Sequence, residues 1–184
     1  MNEPRVTSIL QENKLIDFSM VRKDIMERAC TFGSACHKAT ELHDLGTLDI
    51  DSLDPAIVPY LEGWKNFLKD YGLTFTPEEI EQRLVSKRHG FTGAPDRWHT
   101  KKGLLIDIKS TTAMYPATAI QTMAYQMLIE ETLKIKIKKR IGVQLTGQPG
   151  KGYKIAPYKD TSDKSVFLSC LNVYRWKQRK GLIK

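Results

Sequence analysis

Two carboxylates and an amine stand close together near the middle of the chain. Asp96 closes the run Gly93-Ala94-Pro95-Asp96, and ten residues separate it from Asp107-Ile108-Lys109. That is the spacing of a hairpin. Asp96 is expected to end one strand, residues 97–102 (Arg-Trp-His-Thr-Lys-Lys) to run through a turn into Gly103, and Leu104-Leu105-Ile106 to begin the apolar partner strand. Strand alternation then puts Asp107 and Lys109 on one face. A carboxylate pair is a hard oxygen site suited to Mg²⁺ or Mn²⁺, and a lysine beside it can orient or deprotonate a bound water. Such a trio is equipped for phosphodiester hydrolysis. On an exposed strand Asp-x-Lys would be no more than a solvated ion pair. Leu104, Leu105, Ile106 and Ile108 read instead as a buried central strand, where charges are costly and need a reason.

Gly-x-Pro-Asp, the ten-residue gap and Asp-x-Lys-Ser resemble the PD-(D/E)XK nuclease superfamily. The RecB-type exonuclease branch, with its stand-alone phage and prophage members, is the nearest likeness. Gly33-Ser34-Ala35-Cys36-His37-Lys38-Ala39-Thr40-Glu41 is similar to that branch's Gly-x-x-x-His-x-x-x-Glu helix, and Gln121-Thr122-Met123-Ala124-Tyr125 to its Gln-x-x-x-Tyr motif. The set follows the family's order and spans residues 33–125. The resemblance implies that His37, Asp96 and Asp107 ligate a metal, that the Ile108 carbonyl completes the shell, and that Lys109 serves the water. It implies that Gln121 and Tyr125 steady DNA or the active site, and that a glutamate such as Glu81 stands near it. Helical spacing independently pairs Gln121 with Tyr125 and His37 with Glu41, so Glu41 can orient His37. Without the other motifs His37 would read as a structural histidine and Glu41 as a surface carboxylate. Glu81 reads equally well as an exposed strand carboxylate.

These residues need elements to position them. The N-terminal part, residues 1–75, reads as helical: Asp17 or Ser19 caps a helix through Ala29, a second begins at Phe32 and carries His37, and Asp54-Pro55 opens a third that ends at Tyr71-Gly72. The third bears Ile57, Tyr60, Leu61, Trp64, Phe67 and Leu68 at helical spacing, which is a packing stripe. Residues 76–160 form the sheet core with the active site, residues 80–88 entering as a strand with Glu81 upon it. Ser110-Thr111-Thr112 follow the Asp-x-Lys strand, where Ser110 and Thr111 can donate hydrogen bonds to phosphate. Pro116 opens a helix through Leu133, with Met123 and Met127 as core filler. From Lys134 to Arg140 basic and apolar residues alternate, predicting a strand whose basic face meets either solvent or a phosphate backbone. Thr161 or Asp163 caps a last helix over residues 161–184. Its end, Arg175-Trp-Lys-Gln-Arg-Lys180, either complements the helix dipole or grips single-stranded DNA, with Trp176 able to join the packing face.

The expected fold is thus a single α/β domain over residues 1–184, of the restriction-endonuclease type, with a central mixed sheet flanked by helices. A net charge of +8 and a pI near 9.3 favour a polyanionic partner. Cys30, Cys36 and Cys170 form no Cys-x-x-Cys pair, and three cysteines cannot supply the four-cysteine iron-sulfur set of some relatives, so no cluster is expected. Without a signal peptide or transmembrane run, the reading is a reduced cytoplasmic protein of a bacterium or phage-infected cell, with no membrane role. Gly147–Gly152 lacks the spacing of a phosphate-cradling ATP loop. The resemblance implies a metal-dependent DNA exonuclease of recombination, repair or phage DNA processing, with a helicase, recombinase or single-strand-binding protein as a partner. The alternatives are a structure- or sequence-specific endonuclease and a catalytically silent DNA-binding scaffold.

Overall fold

A computed structural model describes residues 3–17 and 19–183. Three helices come first: α1 (Val6–Glu12), α2 (Lys23–Asp44) and α3 (Val58–Tyr71). A short 3-10 turn, Pro77–Glu79, leads to a two-stranded antiparallel ribbon of β1 (Leu84–Ser86) and β2 (Phe91–Gly93). The main sheet has four strands, β3 (Arg97–His99), β4 (Leu104–Lys109), β5 (Lys139–Leu145) and β6 (Tyr153–Tyr158), in that spatial order. Its outer pairs are antiparallel, whereas β4 and β5 run parallel and are joined by α4 (Ala117–Thr132). The chain closes with α5 (Asp163–Arg179). The architecture is the α/β one expected, a mixed sheet flanked by helices.

Each face of the sheet has its own core. Leu104, Ile106 and Ile108 of β4 join Ile141, Val143 and Leu145 of β5 against Trp64 and Phe67 of α3. Leu105, one residue out of phase, joins Trp98, Leu128, Phe167 and Leu171 beneath α4 and α5. Burial of such side chains contributes about 1.5–3 kcal/mol each. Period-two alternation therefore sends Asp107 and Lys109 to the α4 face, at the C-terminal end of β4.

Several boundaries differ from the sequence reading. Helix α1, which packs Val6, Ile9 and Leu10 into the core, precedes the expected helices. The two helices expected around Ala29 and Phe32 are one, because α2 runs unbroken through Gly33. Asp17 caps a turn by accepting from Ser19 N at 2.8 Å, outside any helix. In the third helix Asp54 and Pro55 lie in a preceding turn and Pro59 occupies the first helical turn, while Gly72 at φ 55° ends it as expected. Residues 97–99 continue as strand β3, so Asp96 precedes a strand rather than ending one, and the hairpin turn is confined to residues 100–103. Residues 80–88 are not one strand of the main sheet: Ile80 makes a single antiparallel bridge to Arg97, Glu81 turns the chain at φ 51°, and Leu84–Ser86 pairs with β2 in the separate ribbon.

The basic segments also resolve differently. Strand β5 starts only at Lys139, and Arg140 points into the protein, donating to Asp163 Oδ2 at 2.9 Å and Ala119 O at 2.7 Å. Asp163 thus serves a buried ion pair, and Ser162 takes the N-cap position of α5. At the other end of α5, Arg175 donates to the carbonyls of His89 and Gly90, and Lys177 to that of Glu12. Trp176 is half exposed and stands outside the packing face of Phe167, Leu171 and Tyr174. Among the described residues no helix is long and apolar enough to cross a membrane.

Candidate active site

Four elements converge at the end of β4. Helix α2 brings His37, the bend after the 3-10 turn brings Glu81, the residue before β3 is Asp96, and β4 itself carries Asp107 and Lys109. His37 Nδ1 lies 3.8 Å from Asp96 Oδ2 and 3.9 Å from Glu81 Oε1. Together these three offer one nitrogen and two oxygens within 4.8 Å of one another. Asp96 is locked by its own strand geometry, since Ile108 N donates to its Oδ2 at 2.6 Å and extends the β3–β4 ladder where main-chain pairing stops at Ile106. The N–H and C=O of one strand residue point to the same edge. The Ile108 carbonyl therefore faces the edge at which Asp96 stands.

Asp107 is fully buried, and among the described residues its Oδ1 has no hydrogen-bond partner. Lys109 Nζ forms an ion pair with Asp107 Oδ2 at 2.7 Å. Burial pushes the Asp107 carboxyl up to about 6, against the pull of Lys109. For Lys109 burial works toward the neutral amine, but Asp107 and Asp96 overcome it and hold the ammonium above its ordinary range. Burial likewise opposes protonation of His37, yet the Asp96 charge and Glu81 raise its pKa. The cluster therefore collects positive charge wherever it can. A buried carboxylate with one oxygen unpartnered, beside an imidazole and two further carboxylates, fits a hard divalent cation. The imidazole nitrogen suits Mn²⁺ at least as well as Mg²⁺.

Helix α4 packs on β4 beside these residues. Gln121 Nε2 donates to Tyr125 Oη at 3.0 Å, so the two motif residues do meet on one helical face. Gly93 makes room for the ring, because a Cβ there would lie 2.7 Å from Tyr125 Cε1. Burial, followed by the charges of Asp96 and Asp107, raises the Tyr125 pKa, so its hydroxyl stays a proton donor.

Other sequence candidates lie elsewhere. Glu41 pairs with Lys38 at 2.8 Å, while His37 turns to Glu81 and Asp96, so the structure gives Glu41 no contact that orients the imidazole. Ser110 faces α2, where its hydroxyl meets Cys36, whose thiol burial pushes up to about 11. Thr111 Oγ1 donates to Ala113 O, and its carbonyl accepts from Gln144 Nε2 at 2.7 Å.

One functional layer escaped the sequence reading. Arg97, fully buried, donates from Nε to Asp44 Oδ2 at 2.7 Å and from Nη1 to the Asp96 carbonyl at 2.5 Å, with Glu81 Oε1 3.8 Å away. Glu81 N also donates to that carbonyl, at 3.2 Å. Asp44 accepts in addition from Trp64 Nε1 at 2.9 Å. Arg97 thus fastens the helix that carries His37 to the strand entrance that carries Asp96. The only signal in the sequence was an arginine directly after the Gly-x-Pro-Asp run.

Among solved structures, a protein from Eubacterium rectale named Putative exonuclease superposes with a TM-score of 0.58 over 83% of this chain and 69% of its own, at 12% identity. The chain shares its fold with that protein. An alkaline exonuclease, LHK-Exo from Laribacter hongkongensis, aligns over 98% of this chain and 93% of its own with a TM-score of 0.42 and 16% identity. No family model matches the chain, and no curated protein matches it.

Proposed function

We propose that the chain is one nuclease domain over residues 1–184, a metal-dependent deoxyribonuclease that hydrolyses phosphodiester bonds as an exonuclease. The observation that carries this reading is the buried Asp107 carboxylate, paired with the Lys109 ammonium at 2.7 Å and set beside the His37–Glu81–Asp96 group, whose ligand atoms lie within 4.8 Å of one another. Such an arrangement costs stability unless a cation and an anionic substrate complete it. The name of the Eubacterium rectale neighbour supports the exonuclease form.

His37, Asp96 and Asp107 would hold the ion, with the Ile108 carbonyl at the same edge and Glu81 as a further oxygen donor. When bound, Mg²⁺ or Mn²⁺ supplies Lewis-acid polarisation of the phosphate and a water of lowered pKa. Lys109, kept cationic by its two carboxylate neighbours, orients the attacking water and balances negative charge as it develops on the phosphoryl oxygens. It does not act as the base while it holds its proton. The Ile108 N–H fixes the Asp96 carboxylate, so this ligand needs no reorganisation on binding. Gln121 and Tyr125 present donors from α4 toward DNA or the site. A role in recombination, repair or phage DNA processing, alongside a helicase, recombinase or single-strand-binding protein, follows from the resemblance.

The test is digestion of end-labelled linear and covalently closed circular DNA, single- and double-stranded, with Mg²⁺, Mn²⁺ or EDTA. Wild type is expected to degrade linear DNA only and only with metal, and Lys109→Ala to lose about 10²–10³ in rate. Cleavage of closed circles would replace the exonuclease reading by an endonuclease. Binding without cleavage of any substrate would leave a scaffold.

A further inference from the structure

Six lysines gather at the end of the sheet opposite Asp107 and Lys109. Lys101 and Lys102 lie in the β3–β4 turn, Lys134, Lys136 and Lys138 lie in the segment that leads into β5, and Lys139 is the first residue of β5, all six exposed. The two segments are one surface, because Lys138 N and Lys139 N both donate to Gly103 O, at 2.7 and 3.1 Å. Ile135 and Ile137 turn inward against the core between them, which drives the lysines outward. Lys102 is engaged, donating to the carbonyls of Tyr71 and Gly72. Among the described residues no carboxylate pairs with the other five.

The neighbouring acids are already committed. Glu79 accepts from Thr100 N and Thr76 N, Glu130 from Ile137 N, and Glu131 from Ser86 Oγ and Arg88 N. Beside the lysines opens a groove of about 580 Å³, lined by Trp98, His99, Leu133 and Ile135, with Glu78 as its exposed acid. The Trp98 indole N–H is buried without a partner. Lysines that protect an exposed strand edge from aggregation are a familiar device. That explanation does not suit Lys134, Lys136, Lys138 and Lys139, since β5 lies between β4 and β6 and has no exposed edge there.

We propose that this end of the molecule holds a single strand of nucleic acid at a distance from the cut, its phosphates on the lysines and its bases against the groove. The proposal rests on the nuclease reading above for what the strand is doing there. Gly103 lies six residues before Lys109, or about 20 Å along β4. The nucleotides being hydrolysed cannot touch both places, so the surface would retain a long substrate and leave a short one unaffected.

The experiment compares wild type, Lys134→Gln/Lys136→Gln/Lys138→Gln, and a control of equal charge loss, Lys69→Gln/Lys87→Gln/Lys164→Gln. Binding of labelled single strands is measured by anisotropy across a salt series without metal, and cleavage of a tetranucleotide with Mn²⁺. The patch variant is expected to bind a strand of about 30 nucleotides ten- to a hundredfold more weakly at 0.1 M salt. Its log–log salt slope is expected to be shallower by about 2, three phosphate contacts at roughly 0.7 each. The control is expected to stay within threefold, and tetranucleotide cleavage to be the same in all three proteins. Equal weakening in both variants, or no weakening in either, would overturn the proposal. If wild type cleaves nothing while the binding difference persists, the surface stands and the nuclease reading falls.

Discussion

Replacing Asp107 by asparagine is expected to stabilise the metal-free protein and abolish its activity. In the folded chain the carboxyl is pushed from the ordinary 3.8 up to about 6 by burial. The folded state therefore holds this proton more tightly than the unfolded state. The group's contribution is intact below the unfolded value and is lost as pH rises through about 6. Above that pH the buried carboxylate is ionised at a cost to folding that the Lys109 ion pair offsets only in part. Asparagine keeps the shape and removes the charge. In EDTA at pH 8, Asp107→Asn is expected to raise the unfolding free energy by about 1–3 kcal/mol, a gain that vanishes near pH 4, where the native carboxyl is also neutral. Urea titrations followed through the buried Trp64 and Trp98 would measure this directly. Metal should invert the order, because wild type gains about 2.7 kcal/mol at a hundred times the dissociation constant and the variant gains little. A variant less stable than wild type in EDTA, or a difference independent of pH, would refute the argument that this carboxylate is held at a cost for a cation.

Three further substitutions separate the parts of the site. Arg97→Met leaves Asp44 and the Asp96 carbonyl without their cationic donor, and is expected to cost about 3–5 kcal/mol in urea unfolding, with weaker Mn²⁺ binding in calorimetry of the fraction that folds. Gly93→Ala drives a methyl group into the Tyr125 ring, so about 1–3 kcal/mol of stability is lost and a double variant with Tyr125→Leu recovers part of it in thermal melts. Glu41→Gln touches only the Lys38 pair and is expected to change cleavage rate and stability little, within about 0.5 kcal/mol; a large loss of metal affinity would restore Glu41 as the residue that orients His37.

What could be read in advance was whatever local periodicity governs. The alternation in Leu104–Lys109 put Asp107 and Lys109 together, and the spacing in 121–125 did the same for Gln121 and Tyr125. The helix from Pro116 and the left-handed stop at Gly72 were legible for the same reason. What depends on distant partners was not. A turn was the natural reading of Arg97-Trp98-His99, since an arginine in a buried strand is forbidding until Asp44, 53 positions away, supplies its counter-charge. Glu81 was read as a strand residue because nothing local announces a positive φ. The break expected between Ala29 and Phe32 does not occur, and α2 also tolerates Gly33, whose cost is about 1 kcal/mol. Lys134–Lys138 kept strand periodicity without a strand, because its isoleucines pack inward from an irregular segment bonded to Gly103.

His37 and Asp44 are seven residues apart on α2, nearly two full turns or about 10 Å, and so lie on the same stripe of one rigid rod. One end of that interval is pinned by the Arg97 bond to Asp44, and the same arginine grips the carbonyl of Asp96. The imidazole and the carboxylate are therefore two corners of a braced triangle whose third corner lies in the protein interior. A braced opening sorts ions by radius: Mg²⁺ takes oxygens at about 2.0–2.1 Å, whereas Ca²⁺ asks for about 2.3–2.6 Å. Loosening the brace would blunt that discrimination before it emptied the site.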